Sequence, residues 1–363
     1  MSKFITKAPF RLDLVMGGVS DLEWWKDSPG ACLSMSCDFS GYPLGLEAIK
    51  TTKSNITLHN FGIGSEMFTI PIKCLNEEYL ESCPEEFKLP VSAIIAGLSV
   101  AGKQFNPEKI EMDIYNKSFR MKGMGGSSVV AGSMISLICH AMGREKLTFE
   151  ELVTATCSAE NMAGIGGGWE DIAGVYNPGI NHIVYEPNNV RPLSIRNIQC
   201  DDKVPVLLQE SLLVFYSKIK ASTEKILEVA KRVFDESPNI TIENSSKLQG
   251  QCEKVIAALA NCDLKAIGES FNEQRTCWNA ITGGISASRE VDEIMNPVSH
   301  DILSYREAGA GGGGTVLVMC KEGRLESVAK EMGSRGYNIR EWNISDYGIN
   351  VELEGRNNHE RVA

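Results

Sequence analysis

The chain has 363 residues, a net charge of −11, 43% hydrophobic and 23% charged residues. Its length suggests two domains, and its apolar content is ample for a core in each. The acidic balance, with no basic patch, argues against a nucleic-acid partner.

Eleven cysteines, an odd number with no Cys-x-x-Cys pair, point to reduced thiols in a cytoplasmic protein rather than a disulfide scaffold. The five histidines are dispersed, which disfavours a structural zinc. The stretch Met1-Ser2-Lys3-Phe4 has no apolar h-region, so secretion is not expected. The longest apolar run, near Val91 to Ala101, is too short to span a bilayer, so no membrane partner is expected.

In chain order, Phe4 to Leu14 reads as a strand, and Ile56 to Ile72 carries strand-like pieces. Val91 to Ala101 reads as a buried helix and Ile110 to Tyr115 as a strand. Gly123-Met124-Gly125-Gly126-Ser127-Ser128 then runs into an apolar helix, Val129 to Met142. Thr148-Phe149-Glu150-Glu151 is a capping box that opens a helix lasting to about Ala163. Asn177-Pro178-Gly179 is a turn, and Asn181 to Tyr185 a strand. A polar stretch with prolines between Pro187 and Pro205 divides the chain into domains 1–204 and 205–363. The second domain reads as a buried strand (Leu212 to Tyr216) and helices from Thr223 to about Arg289. It continues with a strand (Thr315 to Cys320), a helix (Leu325 to Arg335) and strands at Asn338 to Asn343 and Ile349 to Leu353. The whole is an α+β pattern.

A glycine loop feeding a helix N-terminus is an anion site. Its backbone N–H groups turn toward a phosphate, and the helix dipole adds partial positive charge. Two known phosphate loops are excluded. Walker A ends in Gly-Lys-Ser/Thr, whereas Gly102-Lys103 is followed by Gln104. The dinucleotide fingerprint needs a glycine where Ser128 stands. Gly309-Ala310-Gly311-Gly312-Gly313-Gly314 has the fingerprint's spacing but leads into a strand instead of a helix.

Three signatures thus follow in fixed order: Arg11-Leu12-Asp13-Leu14-Val15-Met16-Gly17-Gly18-Val19-Ser20-Asp21, Gly123 to Ser128, and Gly309 to Gly314. Together they resemble motifs one, two and three of the GHMP kinases, across nearly the whole chain. A fourth segment, Gly166 to Gly174 with Trp169-Glu170-Asp171 inside it, resembles segments of fucokinases and heptose 7-phosphate kinases. Both act on the anomeric C1 hydroxyl of a sugar. The resemblance implies a two-domain GHMP kinase fold. Its N-terminal domain is expected to be like ribosomal protein S5 domain two, and its C-terminal domain ferredoxin-like, with the site between them.

It also implies ATP and Mg²⁺ as cofactors and a sugar or sugar phosphate as substrate; a homodimer is compatible with it. Gly123, Met124, Gly125, Gly126, Ser127 and Ser128 would cradle the triphosphate, with Lys122 as a flanking cation. Ser127 and Glu160 match the family's Mg²⁺ ligands. Glu160 shares a helix face with Leu152 and Thr156, and an inner-face carboxylate needs a partner. The competing reading is a helix-end glutamate paired with an arginine. Asp171 would be the general base for the sugar hydroxyl, against an ordinary cap of a helix beginning at Ile172. Arg11 would stabilise the transition state, against a surface strand arginine.

Asp21 and Gly18 would contact the sugar, although Ser20-Asp21 is also good capping chemistry. Trp169 is a candidate stacking surface, as are Trp24 and Trp25, against plain core packing. Gly311 and Gly312 would shape the sugar side. Glu170 and Ile172 depart from two glutamines of the fucokinase pattern, which bears on sugar specificity. Arg306 stands where related sugar kinases carry a lysine. A non-catalytic sugar and nucleotide sensor on the same fold is the alternative, and an ATP-driven lyase a third; joint retention of Ser127, Glu160 and Asp171 favours the enzyme.

Overall fold

The computed structural model describes the chain except residues 1, 20–21, 42–43, 62–66, 103–109, 119–122, 145, 166–167, 220–221 and 355–363. Its strands are β1 (Lys3–Lys7), β2 (Phe10–Val15), β3 (Gly30–Phe39), β4 (Leu46–Lys50), β5 (Asn55–His59), β6 (Met67–Pro71), β7 (Met112–Asn116), β8 (Ile180–Tyr185), β9 (Leu193–Asn197), β10 (Leu212–Tyr216), β11 (Ile302–Glu307), β12 (Thr315–Cys320), β13 (Asn338–Arg340), β14 (Trp342–Ile344) and β15 (Asn350–Leu353). The helices are α1 (Glu77–Glu81), α2 (Glu85–Ala101), α3 (Gly126–Ala141), α4 (Phe149–Met162), α5 (Trp169–Ala173), α6 (Lys203–Ser211), α7 (Thr223–Glu236), α8 (Pro238–Ala260), α9 (Leu264–Ile281), α10 (Ser288–Met295) and α11 (Leu325–Ser334).

The N-terminal half holds two sheets. One has the order β15-β1-β4-β7-β5-β6, and the other runs β14-β3-β8-β9 with β2 on the free side of β3. Helices α2, α3 and α4 pack together and bury one extended core with these sheets. The third sheet has the order β11-β12-β10-β13, all antiparallel. Counted within this half, that is second, third, first, fourth, the split βαβ arrangement of a ferredoxin-like domain.

Local chemistry explains most boundaries. The capping box of α4 is formed: Glu151 N–H donates to Thr148 Oγ1 at 3.3 Å, and Thr148 N–H donates to Glu151 Oε2 at 2.9 Å. The expected first strand is two, β1 and β2, because Pro9 lacks a ladder donor and the preceding Ala8 N–H turns to Leu44 O. Helix α2 begins at Glu85, six residues before the sequence reading, with Pro90 inside it. Pro90, the sixth residue of the helix, gives up one i→i−4 bond.

The span Asn338 to Asn343 is not one strand. β13 ends on the third sheet, and Trp342 starts β14 on β3, its Nε1 donating to Leu212 O at 3.0 Å. β15 then pairs with β1. The last strands therefore return to the first half, so a division at 204/205 does not describe them. Among the described residues, no helix is long and apolar enough to cross a membrane.

Candidate active site

The site is built on the buried strand β2. Side chains two apart on a strand share a face, so Arg11 and Asp13 point the same way. Both are 4% exposed. Arg11 donates to Asp13, to Glu170 Oε1 at 2.7 Å and to Asp171 Oδ1. One guanidinium thus joins motif one to α5. The surface-strand reading of Arg11 does not hold.

Asp171 lies inside α5, whose N-cap is Gly168, so Asp171 does not cap a helix at Ile172. Its Oδ2 accepts from Ser128 Oγ at 3.4 Å, and Ser128 Oγ also donates to Glu160 Oε1 at 2.6 Å. The glycine loop, α4 and α5 therefore converge on one polar cluster. Gly125 shows why the loop needs glycine. Its φ is +66°, and a Cβ there would stand 2.9 Å from Asp171 Cγ.

Glu160 is 2% exposed and its Oε2 has no hydrogen-bond partner. Burial, with Asp171 nearby, pushes its carboxyl up to about 8, although the Ser128 hydroxyl works against this. Burial also pushes Glu170 up, while Arg11 and the Gly17 N–H oppose that shift. Among the described residues no three His, Cys, Asp or Glu side chains gather as a metal cluster. Two carboxylates and serine hydroxyls nonetheless suit Mg²⁺, which keeps waters and takes oxygens from substrate phosphates. The orphaned Oε2 of Glu160 is the atom that such an ion would satisfy.

The sign of the Glu160 shift gives a stability prediction. An acid whose folded pKa lies above its unfolded value binds more protons when folded. Metal-free protein should therefore lose stability as pH rises from about 4.5 toward about 8. Denaturant titrations of wild type and Glu160→Gln across that range check it; the variant should decline less, and parallel curves would contradict the assignment.

The resemblance makes Ser127 and Glu160 joint Mg²⁺ ligands; the serine in direct contact with Glu160 in the structure is its neighbour Ser128. Ser127, one position earlier on α3, is exposed and lines a cavity of about 620 Å³ with Gly126, Val130, Leu89, Pro90 and Phe61. Gly123 (φ +84°) abuts motif three: a Cβ on it would stand 2.8 Å from Ala308 O, and one on Gly309 3.1 Å from Gly123 Cα. Met124 is buried in the main core.

Other expected residues lie elsewhere. Trp169 is buried and stacks on Tyr185 at 6.1 Å, which makes it core rather than an open sugar platform. Trp24 and Trp25 pack on Phe234. Gly311 and Gly312 are buried; Gly311 backs onto Trp278, whose Nε1 lies 2.9 Å from where a Cβ would stand. Gly18 turns at φ +72° against Leu248. Asp21 and Lys122 lie outside the described residues.

Asp13 was not singled out from the sequence, and Arg306 was noted only as the cation standing where related sugar kinases carry a lysine. Asp13 holds Arg11, and fully buried Arg306 donates to the Asp13 carbonyl and to Glu307 O at 3.1 Å. Burial, with Arg11 close by, pulls the Arg306 guanidinium down to about 10. The alternation Arg11-x-Asp13 in an otherwise apolar strand was the available signal.

No protein-family model matches the chain. Two curated relatives match along nearly all of it. The bifunctional fucokinase/GDP-fucose pyrophosphorylase of Arabidopsis thaliana is 22% identical over 346 residues, 94% of this chain and 32% of the relative. The L-fucokinase/L-fucose-1-P guanylyltransferase of Bacteroides fragilis is 20% identical over 366 residues, 95% of this chain and 38% of the relative. The chain thus spans about a third of the length of these relatives. Among solved structures, a D-glycero-D-manno-heptose 1-phosphate kinase from Bacteroides thetaiotaomicron superposes with a TM-score of 0.69 at 13% identity, over 97% of this chain and 99% of that one. Lactococcus lactis galactokinase, complexed with galactose, does so with 0.68 at 13% identity, over 96% and 95%. The fold of this chain is that of the GHMP kinases, and its relatives in sequence point to the sugar kinases of that superfamily.

Proposed function

We propose that the chain is an ATP- and Mg²⁺-dependent sugar kinase that phosphorylates the anomeric C1 hydroxyl of a fucose-like or heptose 7-phosphate-like sugar. The observation that carries this is the convergence of Arg11, Asp171, Ser128 and Glu160 at the glycine-loop end of α3. The fucokinase relatives support a sugar acceptor.

Phosphoryl transfer needs little covalent chemistry from the protein, so positioning and charge carry most of the catalysis. Asp171 takes the proton of the sugar hydroxyl as that oxygen bonds to the γ-phosphorus and the bond to the ADP oxygen breaks. Arg11 pairs with Asp171 and aims it, and its charge faces the transfer zone. The loop from Gly123 to Ser128 binds the phosphates through backbone N–H groups. Glu160, with Ser128 or Ser127, would hold Mg²⁺, which when bound neutralises charge on the β- and γ-phosphates. Gly18 and Asp21 remain our candidates for the sugar side.

ATP-dependent ADP release over a panel of free and phosphorylated sugars tests this, with Gly125→Ala as control. The added methyl collides with Asp171, and the left-handed backbone costs about 1–2 kcal/mol. The variant should fold yet turn over at least tenfold more slowly. Equal turnover would show that the loop does not set Asp171.

A further inference from the structure

Strand β13 lies at the edge of the third sheet, paired to β10 with Val214 opposite Arg340, Phe215 opposite Ile339 and Tyr216 opposite Asn338. Directly opposed residues share a face, and faces alternate along a strand. Phe215 and Ile339 pack into the apolar cluster of the C-terminal domain. Arg340 is therefore on the other face with Val214 and Tyr216. The β10–β12 pairing adds Leu317, opposite Val214, and Thr315, opposite Tyr216, to that face. Val214 and Leu317 belong to the main core shared with the N-terminal half. Tyr216, Thr315 and Arg340 line the cavity of about 620 Å³ that Gly126 and Ser127 also line.

This cavity is thus closed by both domains. Its walls at Leu89, Pro90 and Val130 are apolar, and among its described lining residues it holds one cation, Arg340, and one carboxylate, Glu86. Arg340, half-buried, therefore puts a guanidinium on the wall of the same space as the start of the glycine-loop helix. Guanidinium geometry suits phosphate oxygens, which it can grip two at a time. The glycine loop at the same cavity suits the same anion.

We propose that Arg340 binds the phosphate chain of the nucleotide, so that bound nucleotide bridges the two domains. The inference rests on the glycine loop binding the phosphates of the nucleotide, as proposed above, with this cavity beside the loop as the nucleotide's place. It assigns to the C-terminal domain a direct hold on a ligand that the motif reading gives wholly to the N-terminal half.

Dissociation constants for ATP, ADP and adenosine, measured on wild type, Arg340→Met and Arg340→Lys, test it. Arg340→Met should weaken ATP and ADP at least tenfold and leave adenosine within twofold. Unchanged ATP affinity would overturn the inference while leaving the kinase reading intact. Equal loss for adenosine would place Arg340 on the base or ribose and overturn it too. A wild type that binds none of the three would sink the reading of the cavity and the inference with it. Should Arg340→Met fail to fold, Arg340→Lys decides: a threefold or greater loss for ATP and ADP alone supports the contact, and wild-type values refute it.

Discussion

Asp171→Asn is expected to lower kcat by about 10²–10⁴-fold, the usual worth of a positioned general base. The amide has the shape of the carboxylate: its single oxygen can keep the Arg11 contact while its NH2 donates to Ser128 Oγ, so the site should stay assembled. What it loses is the ability to take the proton of the sugar hydroxyl. Nucleotide affinity should change little, because the contacts with ATP lie in the glycine loop and the cavity beside it. Steady-state ADP release paired with calorimetric ATP binding separates the two effects. A kcat within tenfold of wild type would remove Asp171 from the role of base. A collapse of ATP binding alongside turnover would make it a structural member of the cluster instead.

Arg11→Met should be the most destabilising single change in the site. Arg11 is buried and contacts Asp13, Glu170 and Asp171. Removing it leaves the carboxylates of Asp13 and Glu170 buried without their countercharge, and breaking a buried pair this way costs about 3–5 kcal/mol. That is a large share of the stability of an ordinary domain. Arg306 cannot take over, since its own guanidinium is committed to the carbonyls of Asp13 and Glu307. Arg11→Lys should fall between, because an ammonium keeps the charge but cannot span three carboxylates. Denaturant midpoints of the variants measure this. A loss below 1 kcal/mol for Arg11→Met would mean that the cluster rearranges and that its geometry is not fixed by Arg11.

The sequence showed the architecture where local rules govern. The Thr148 capping box, the strand at Leu212 to Tyr216 and the glycine loop before α3 are all set by neighbours in the chain. It failed where distant partners decide. Asn338 to Asn343 carries one strand-like pattern, yet Trp342 leaves the sheet to dock on Leu212 and β3. No local signal says that β15 closes onto β1. Ser127 and Ser128 are adjacent and chemically identical, so only the helix geometry decides that Ser128 faces Glu160 while Ser127 faces the cavity. Glu170 looked like a change in sugar preference, and in the fold it grips Arg11. Trp169 was open to sugar stacking or to core packing, and in the fold Tyr185 already covers a face of its ring.

The measurement that bears most directly on the central claim is phosphorus NMR of the reaction mixture with ATP, Mg²⁺ and, in separate samples, L-fucose and a heptose 7-phosphate. The expected result is ADP together with a new phosphomonoester coupled to the anomeric proton of one of these sugars, absent with Asp171→Asn. A phosphomonoester at any other carbon, or no product from either sugar or from the wider panel despite bound ATP, would contradict it.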